Sequence, residues 1–331
     1  MKRFKLIYSN FINPYSDTRA DFISGSLLLK LDKKKRYRVV GIYPKGEWPK
    51  YNKSETEIYH YENRLILPAF FDMHFHWVQD DVRYAPKKHL LTWLENYVFP
   101  HEAKFSNHHF SEKKAKQFFK KLYKSGTIGG AIYGSIHENS VTDALKYAHG
   151  EFIAGNVIMT MHSPQALLQT RSQALKLIKK LSRKLKKKYA FTPRFALTVD
   201  SATMKKGGAI ARQNKSYIQT HLSENRFEIE TILKIFRNYP EFKKVKSYTE
   251  IYEKCKLLTS DSFFAHAIHL SQAEWKMLAK YKAKIIHCPT SNAPLKEFGL
   301  GSGLFNFEKC EQFSVDWAQA LILGEGWNSP C

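Results

Sequence analysis

The sequence predicts an α/β chain: a small β domain over residues 1–66, then a (β/α)8 TIM-like barrel over residues 67–331. Three observations carry that expectation. Residues 1–66 alternate short apolar runs with polar or Gly/Pro turns. From Leu65 onward, apolar runs of strand length alternate with long charged stretches of helical period, the pattern of repeated βα units around a parallel sheet. Histidines fall at the ends of several of these later runs, where a barrel gathers its reactive groups.

The first domain reads as four strands: LIYSNFI (6–12), SGSLLLKL (24–31), YRVVGIY (37–43) and ETEIYHY (55–61). The second contains seven candidate strands: AFFDMHFH (69–76), TIGGAIYG (127–134), FIAGNVIM (152–159), RFALTV (194–199), YIQTHL (217–222), SFFAHA (262–267) and AKIIHC (283–288). Seven βα units leave one strand of an eight-stranded barrel unaccounted for. Between the strands, SEKKAKQFFKKLYKSG (111–126) is a helix closed by Gly126, and SQAEWKMLAKYK (271–282) is a helix opened by Ser271 as N-cap. No internal repeat or low-complexity linker interrupts the order.

With 331 residues, 43% of them hydrophobic, the chain is long enough to bury a real core, which excludes intrinsic disorder. No run approaches the roughly 20 apolar residues that span a bilayer, and the start, MKRFKLIYSNFINPY, interrupts its apolar run before a signal-peptide core forms. A soluble, cytoplasmic protein with no membrane role is expected. The cysteines, Cys255, Cys288, Cys310 and Cys331, contain no CxxC pair and suggest neither a disulfide framework nor a thiolate zinc site. The net charge of +23 invites a nucleic-acid partner. Its densest run, Lys176–Lys188, nevertheless lies among Leu175, Ile178, Leu181 and Leu185 at helical spacing, so it reads as the solvated face of an amphipathic helix, and nucleic acid is not the expected partner.

His74 and His76 end the first barrel strand, His221 lies near the end of the fifth and His266 near the end of the sixth. Alternate strand residues share a face, so His74 and His76 both point inward and can grip one ion. A lone HxH pair is weak, since 14 histidines in 331 residues produce about 0.6 such pairs by chance; several inward histidines ending separate strands point instead to metal ligation. Glu224, three residues after His221, stands where a carboxylate can reach a metal-activated water without ligating the metal. Its alternative role is a carboxylate at the N-terminus of the helix NRFEIETILKIF.

At these residues the chain resembles the amidohydrolase superfamily of zinc hydrolases and, within it, the guanine deaminase family. PAFFDMHFHWVQ (68–79), LLTWLENYVFPHEAKFSN (90–107), TPRFALTV (192–199), QTHLSENRFEIE (219–230), AHAIHLS (265–271) and HCPTSNAPLKEFGLGSG (287–303) carry the resemblance, in order, across almost the whole chain. The resemblance implies a small N-terminal β-sandwich, one zinc ion (Zn2+) per subunit on His74, His76 and His221, proton transfer by Glu224, and orientation of the attacking water by His266. It implies purine contacts from Gln79, Arg194 and Phe195, and a possible homodimer. Arg194 opening the fourth strand, with no inward lysine, implies a mononuclear site. The implied reaction is hydrolysis of guanine to xanthine and ammonia. A related mononuclear aminohydrolase, or a non-catalytic remnant, is the alternative.

The resemblance breaks near the end of the chain. The family's fourth metal ligand, an aspartate ending strand eight before glycines, has no counterpart; Asp316 lies too early and in another context. The barrel is therefore expected to be incomplete at strand eight, leaving strands one and seven with open edges, and the chain as written to be poorly soluble and weakly active. Residues from Gln319 read as a shifted frame: suitable synonymous codons permit Ser-Ser-Asp-Ile-Gly-Gly-Gly, and a Leu321 codon not ending in G excludes it.

Overall fold

A computed structural model of the chain describes residues 1–16, 19–85, 90–293 and 301–320. By its contacts the chain divides into Met1–Ala69 and Phe70–Cys331. In the first unit β1 (Phe4–Pro14), β2 (Ala20–Leu31), β3 (Tyr37–Pro44) and β4 (Thr56–Ile66) form one sheet in the order β3-β2-β1-β4. Antiparallel hairpins join β1, β2 and β3, while β4 lies parallel to β1. Leu6, Phe11 and Leu28 are buried. A sandwich needs a second sheet facing the first, and the described residues of this unit form a single sheet.

The second unit holds β5 (Phe70–Phe75), β6 (Thr127–Tyr133), β7 (Glu151–Gly155), β8 (Val157–Ile158), β9 (Ala190–Pro193), β10 (Tyr217–Leu222), β11 (Ser262–His266), β12 (Lys284–His287) and β13 (Trp317–Gln319). Its strands pair parallel in two arcs, β5-β6-β7 and β8-β9-β10-β11-β12-β13, bridged between Ala154 and Tyr189. The helices are α1 (Leu90–Trp93), α2 (Phe99–Ala103), α3 (His108–Lys124), α4 (Asn139–Tyr147), α5 (Arg171–Leu185), α6 (Ser201–Gln213), α7 (Arg226–Phe236), α8 (Tyr248–Lys254), α9 (Gln272–Tyr281), α10 (Pro289–Asn292) and α11 (Phe307–Phe313). Strands in chain order with helices between them make a TIM-barrel-like α/β fold. The described ladders do not join β13 to β5. Inside the arcs, however, Met73 of β5 packs with Ala265, Ile286, Cys288, Ala318 and Ala320, so side chains from both ends share one core. No helix among the described residues is long and apolar enough to cross a membrane.

Local chemistry sets the helix boundaries. Ser271–Glu274, Asn225–Glu228 and Thr170–Gln173 are reciprocal capping boxes at the starts of α9, α7 and α5. Gly126, at φ +81, turns the chain out of α3 into β6. In α5 the buried side chains are Ala174, Ile178, Leu181 and Ser182, which leaves the lysines on the outer face.

Two expectations need correction. The fourth strand is Ala190–Pro193, ahead of the RFALTV run; Pro193 has no amide hydrogen to extend the ladder. The chain then turns, with the Thr198 amide donating to the Phe195 carbonyl and the Ala196 amide to the Tyr248 hydroxyl. Arg194 therefore follows the strand rather than opening it. An eighth strand is also present: Trp317–Gln319 lies parallel to Ile285–His287, so β12 has a neighbour where an open edge was expected. The frame-shift expectation lies, from Leu321 onward, outside the described residues, as does the 294–300 part of the last resemblance segment.

Gly155 marks a close approach between strands. A Cβ there would overlap the Ala190 carbonyl oxygen and the Thr192 hydroxyl. Gly155→Ala is expected to destabilise the fold by about 2 kcal/mol or more, seen as a lowered urea midpoint at unchanged m-value.

Candidate active site

The C-terminal ends of β5, β10 and β11 bring four imidazoles together. Ring centroids lie 5.1 Å apart for His74–His76, 4.7 Å for His74–His221, 5.4 Å for His74–His266 and 5.4 Å for His221–His266. His74, His76 and His266 are at most 3% exposed. Burial first, and repulsion from the neighbouring histidines and Arg194 second, hold His74, His76 and His221 well below the usual imidazole range, so all three are neutral.

Hydrogen bonding then fixes which nitrogens face one another. His221 Nδ1 is 2.6 Å from the Arg194 carbonyl oxygen, which can only accept, so Nδ1 carries the proton and Nε2 presents a lone pair. That Nε2 lies 3.1 Å from His76 Nε2. Neither His74 nitrogen, nor His76 Nδ1, has a hydrogen-bond partner although all are buried. Dry, neutral imidazoles with unpartnered nitrogens are costly alone and suit a divalent cation. One ligand atom each from His74, His76 and His221 lie within 4.8 Å of one another, and the residues present fit a metal. A second group, His74, His266 and Cys288, meets the same limit.

Beside the rings stands Glu224, 4% exposed, with Oε1 3.7 Å from His266 Nδ1 and accepting from the Ser291 hydroxyl at 3.3 Å. His266 Nδ1 is 2.9 Å from Asn292 Oδ1. The cap of α7 is made by Asn225 and Glu228, and Glu224 stands directly before it at the helix N-terminus, where the dipole also favours a carboxylate. Ser223, His266 and Ala267 adopt positive φ of 50°, 72° and 52°. Such backbone persists only where the surroundings over-determine it. Here the Ala267 amide donates to the Leu222 carbonyl, and the Ile268 and His269 amides to the Ser223 carbonyl.

Gln79, Arg194 and Phe195 line a cavity together with Trp93, Leu94, His76, His221, His266, Glu224 and Glu228. Sequence reasoning missed the group that holds two of them. Fully buried Glu102 accepts from Gln79 Nε2 at 2.9 Å and from Arg194 Nη1 at 2.9 and 2.8 Å, while the Arg194 guanidinium lies 5.2 Å from the Phe99 ring centroid. Glu102 sits on α2, just after a π-helical turn at Leu94–Val98. Pro100 there cannot donate back into the ladder, which gives the irregular turn its local cause. The available signal was two acids, Glu95 and Glu102, inside the 90–107 segment, with nothing to choose between them; Ser291 and Asn292 lay in the HCPTSN run without an assigned role.

Removing Glu102 leaves a buried guanidinium without its carboxylate. Glu102→Ala is expected to cost about 3–5 kcal/mol, measured by chemical denaturation. Glu228 supplies a pH test. Burial, then the neighbouring Glu224, raise its carboxyl from 4.5 to about 7. Between those values the unfolded carboxyl ionises while the folded one keeps its proton, so its contribution to stability is complete below pH 4.5 and lost as pH rises through about 7. Glu228→Gln removes this dependence: relative to wild type, the variant gains stability between pH 5 and pH 8 in parallel urea titrations.

The profile of the amidohydrolase family matches residues 65–315. The guanine deaminase of Escherichia coli (strain K12) is 31% identical over 85% of this chain and 64% of its own length. That of Rattus norvegicus is 32% identical over 76% of this chain and 55% of its own. The chain thus spans less than two thirds of the length of these curated relatives. Among solved structures, a guanine deaminase from C. acetobutylicum with bound guanine superposes at a TM-score of 0.84 with 26% identity, covering 97% of this chain and 75% of that one. With three quarters of its length inside the family profile and its histidines gathered at the strand ends, this chain belongs to the amidohydrolase family.

Proposed function

We propose that the site hydrolyses guanine to xanthine and ammonia, using one zinc ion per chain held by His74, His76 and His221. The observation that carries this reading is the buried Glu224 carboxylate beside the neutral imidazoles, at the wall of a cavity also lined by Gln79, Arg194 and Phe195. Similarity to guanine deaminases over most of the chain selects the purine. When bound, zinc supplies Lewis-acid activation of water near neutral pH.

The chain's own residues do the remainder. Glu224 takes a proton from the attacking water as its oxygen adds to C2 of guanine. The same carboxylate delivers that proton to the adjacent ring nitrogen, then takes the second proton from the hydroxyl now on C2 and passes it to the departing amine as the C2 oxygen becomes a carbonyl, so water and guanine become xanthine and ammonia with no co-reactant. His266, held through Nδ1 by Asn292, orients the water with its other nitrogen. Gln79 and Arg194, braced by Glu102, meet the polar edge of the purine, and Phe195 covers its face. A homodimer in the cytoplasm, acting on the free base rather than on nucleic acid, completes the reading; the burial of the apolar side of α5 supports treating its lysines as a solvated face.

Single-turnover reactions, with zinc-loaded protein in excess over guanine, register even a slow reaction. Xanthine and ammonia in equal amounts are expected, with Glu224→Gln slower by about 10²–10⁴-fold at unchanged zinc content. Release of ammonia from cytosine or adenine but not from guanine overturns the substrate assignment. His76→Ala is expected to lose zinc on gel filtration, measured by elemental analysis.

A further inference from the structure

Tyr133 ends β6 and is 1% exposed. β6 runs tight against β5, where a Cβ at Gly130 would overlap the Asp72 carbonyl oxygen, and the phenol ring comes to lie beside the histidines. Its centroid is 4.4 Å from that of His74 at an interplanar angle of 73°, 4.7 Å from His76 at 39° and 5.3 Å from His221 at 70°. One side chain thus packs on all three rings proposed to hold zinc. The three differ in what else orients them. His221 Nδ1 is tied to the Arg194 carbonyl, the kind of hydrogen bond that ordinarily fixes the tautomer and direction of a metal-binding imidazole. Among the described residues, neither His74 ring nitrogen, nor His76 Nδ1, has such a partner. These two rings are therefore held by packing, and Tyr133 is the aromatic neighbour that both share outside the histidine cluster.

We propose that Tyr133 is a positioning residue for the metal site: its ring sets the orientation of His74 and His76, the task that the Arg194 carbonyl performs for His221. The inference rests on the zinc reading above and concerns how the ligands are held; every ligand atom and the role of His266 stay as assigned there. The ring does this, not the hydroxyl. Burial first, then Cys288 and Tyr252, raise the phenol well above its usual range, so it stays protonated and offers no phenolate to an ion. Aromatic pairs favour edge-to-face and offset contacts, so rotating either imidazole gives up its fit against the phenol ring. An aliphatic side chain fills the space without that directional preference.

Competition against a zinc chelator, with the full chain and its Tyr133→Phe and Tyr133→Leu variants, reads this role. Tyr133→Phe is expected to hold zinc within about threefold of wild type, and Tyr133→Leu to bind it about 10–100-fold more weakly. A side chain that only fills the core lowers the urea midpoint of Tyr133→Leu and leaves the zinc affinity of the folded protein alone, so wild-type affinity in that variant overturns the proposal. Weakening of Tyr133→Phe to the level of Tyr133→Leu assigns the effect to the hydroxyl and also overturns it. Should Tyr133→Leu not fold, nuclear Overhauser contacts in the zinc-loaded wild type decide. Contacts from the Tyr133 ring hydrogens, identified by their loss in tyrosine-labelled Tyr133→Phe, to the carbon-bound ring hydrogens of His74 and His76 are expected, and their absence overturns the proposal. Each of these results leaves zinc binding by the wild type intact, whereas failure of the wild type to bind zinc overturns the metal reading and the proposal with it.

Discussion

Arg194 ties the two halves of the site together. Its carbonyl oxygen fixes the tautomer of His221 and so aims a lone pair at His76, while its guanidinium is clamped by Glu102, which also holds Gln79. A single residue thus sets the metal-facing chemistry through its main chain and the cavity wall through its side chain. This coupling requires Arg194 to sit just beyond the strand: Pro193 ends the ladder, the turn through Thr198 follows, and the carbonyl becomes available to a ring rather than to a neighbouring strand.

The parts legible in the sequence are those governed by short-range rules. The strand pattern put His74 near the end of its strand with His76 just beyond it, capping chemistry placed Ser271 at the start of its helix, and apolar spacing turned the basic run after Leu175 into a solvated helix face. What escaped is fixed at long range or by very short elements. The fourth strand has four residues and the eighth only three, too few for periodicity to register. The Glu102–Arg194 bond joins residues 92 positions apart, and nothing local distinguishes a buried acid with a distant partner from an exposed one.

Dryness does the chemical sorting at this rim. Burial keeps the histidines neutral and able to donate lone pairs, and the same burial pushes Glu228 toward its protonated form. The positive φ values at Ser223, His266 and Ala267 show that backbone comfort yields to placement here, with cross-strand amide bonds holding the strained turns in place.

The shared acceptor at Glu102 also bears on how such a cavity can diversify. Replacing Gln79 or Arg194 singly strands part of a buried carboxylate, so most one-step routes to a new ligand preference pass through a poorly folded intermediate. Joint replacement of all three residues by a neutral, self-satisfied set escapes that barrier. The cavity is therefore resistant to gradual drift yet open to concerted redesign, and libraries that vary positions 79, 102 and 194 together will sample functional space that single-site scanning cannot reach.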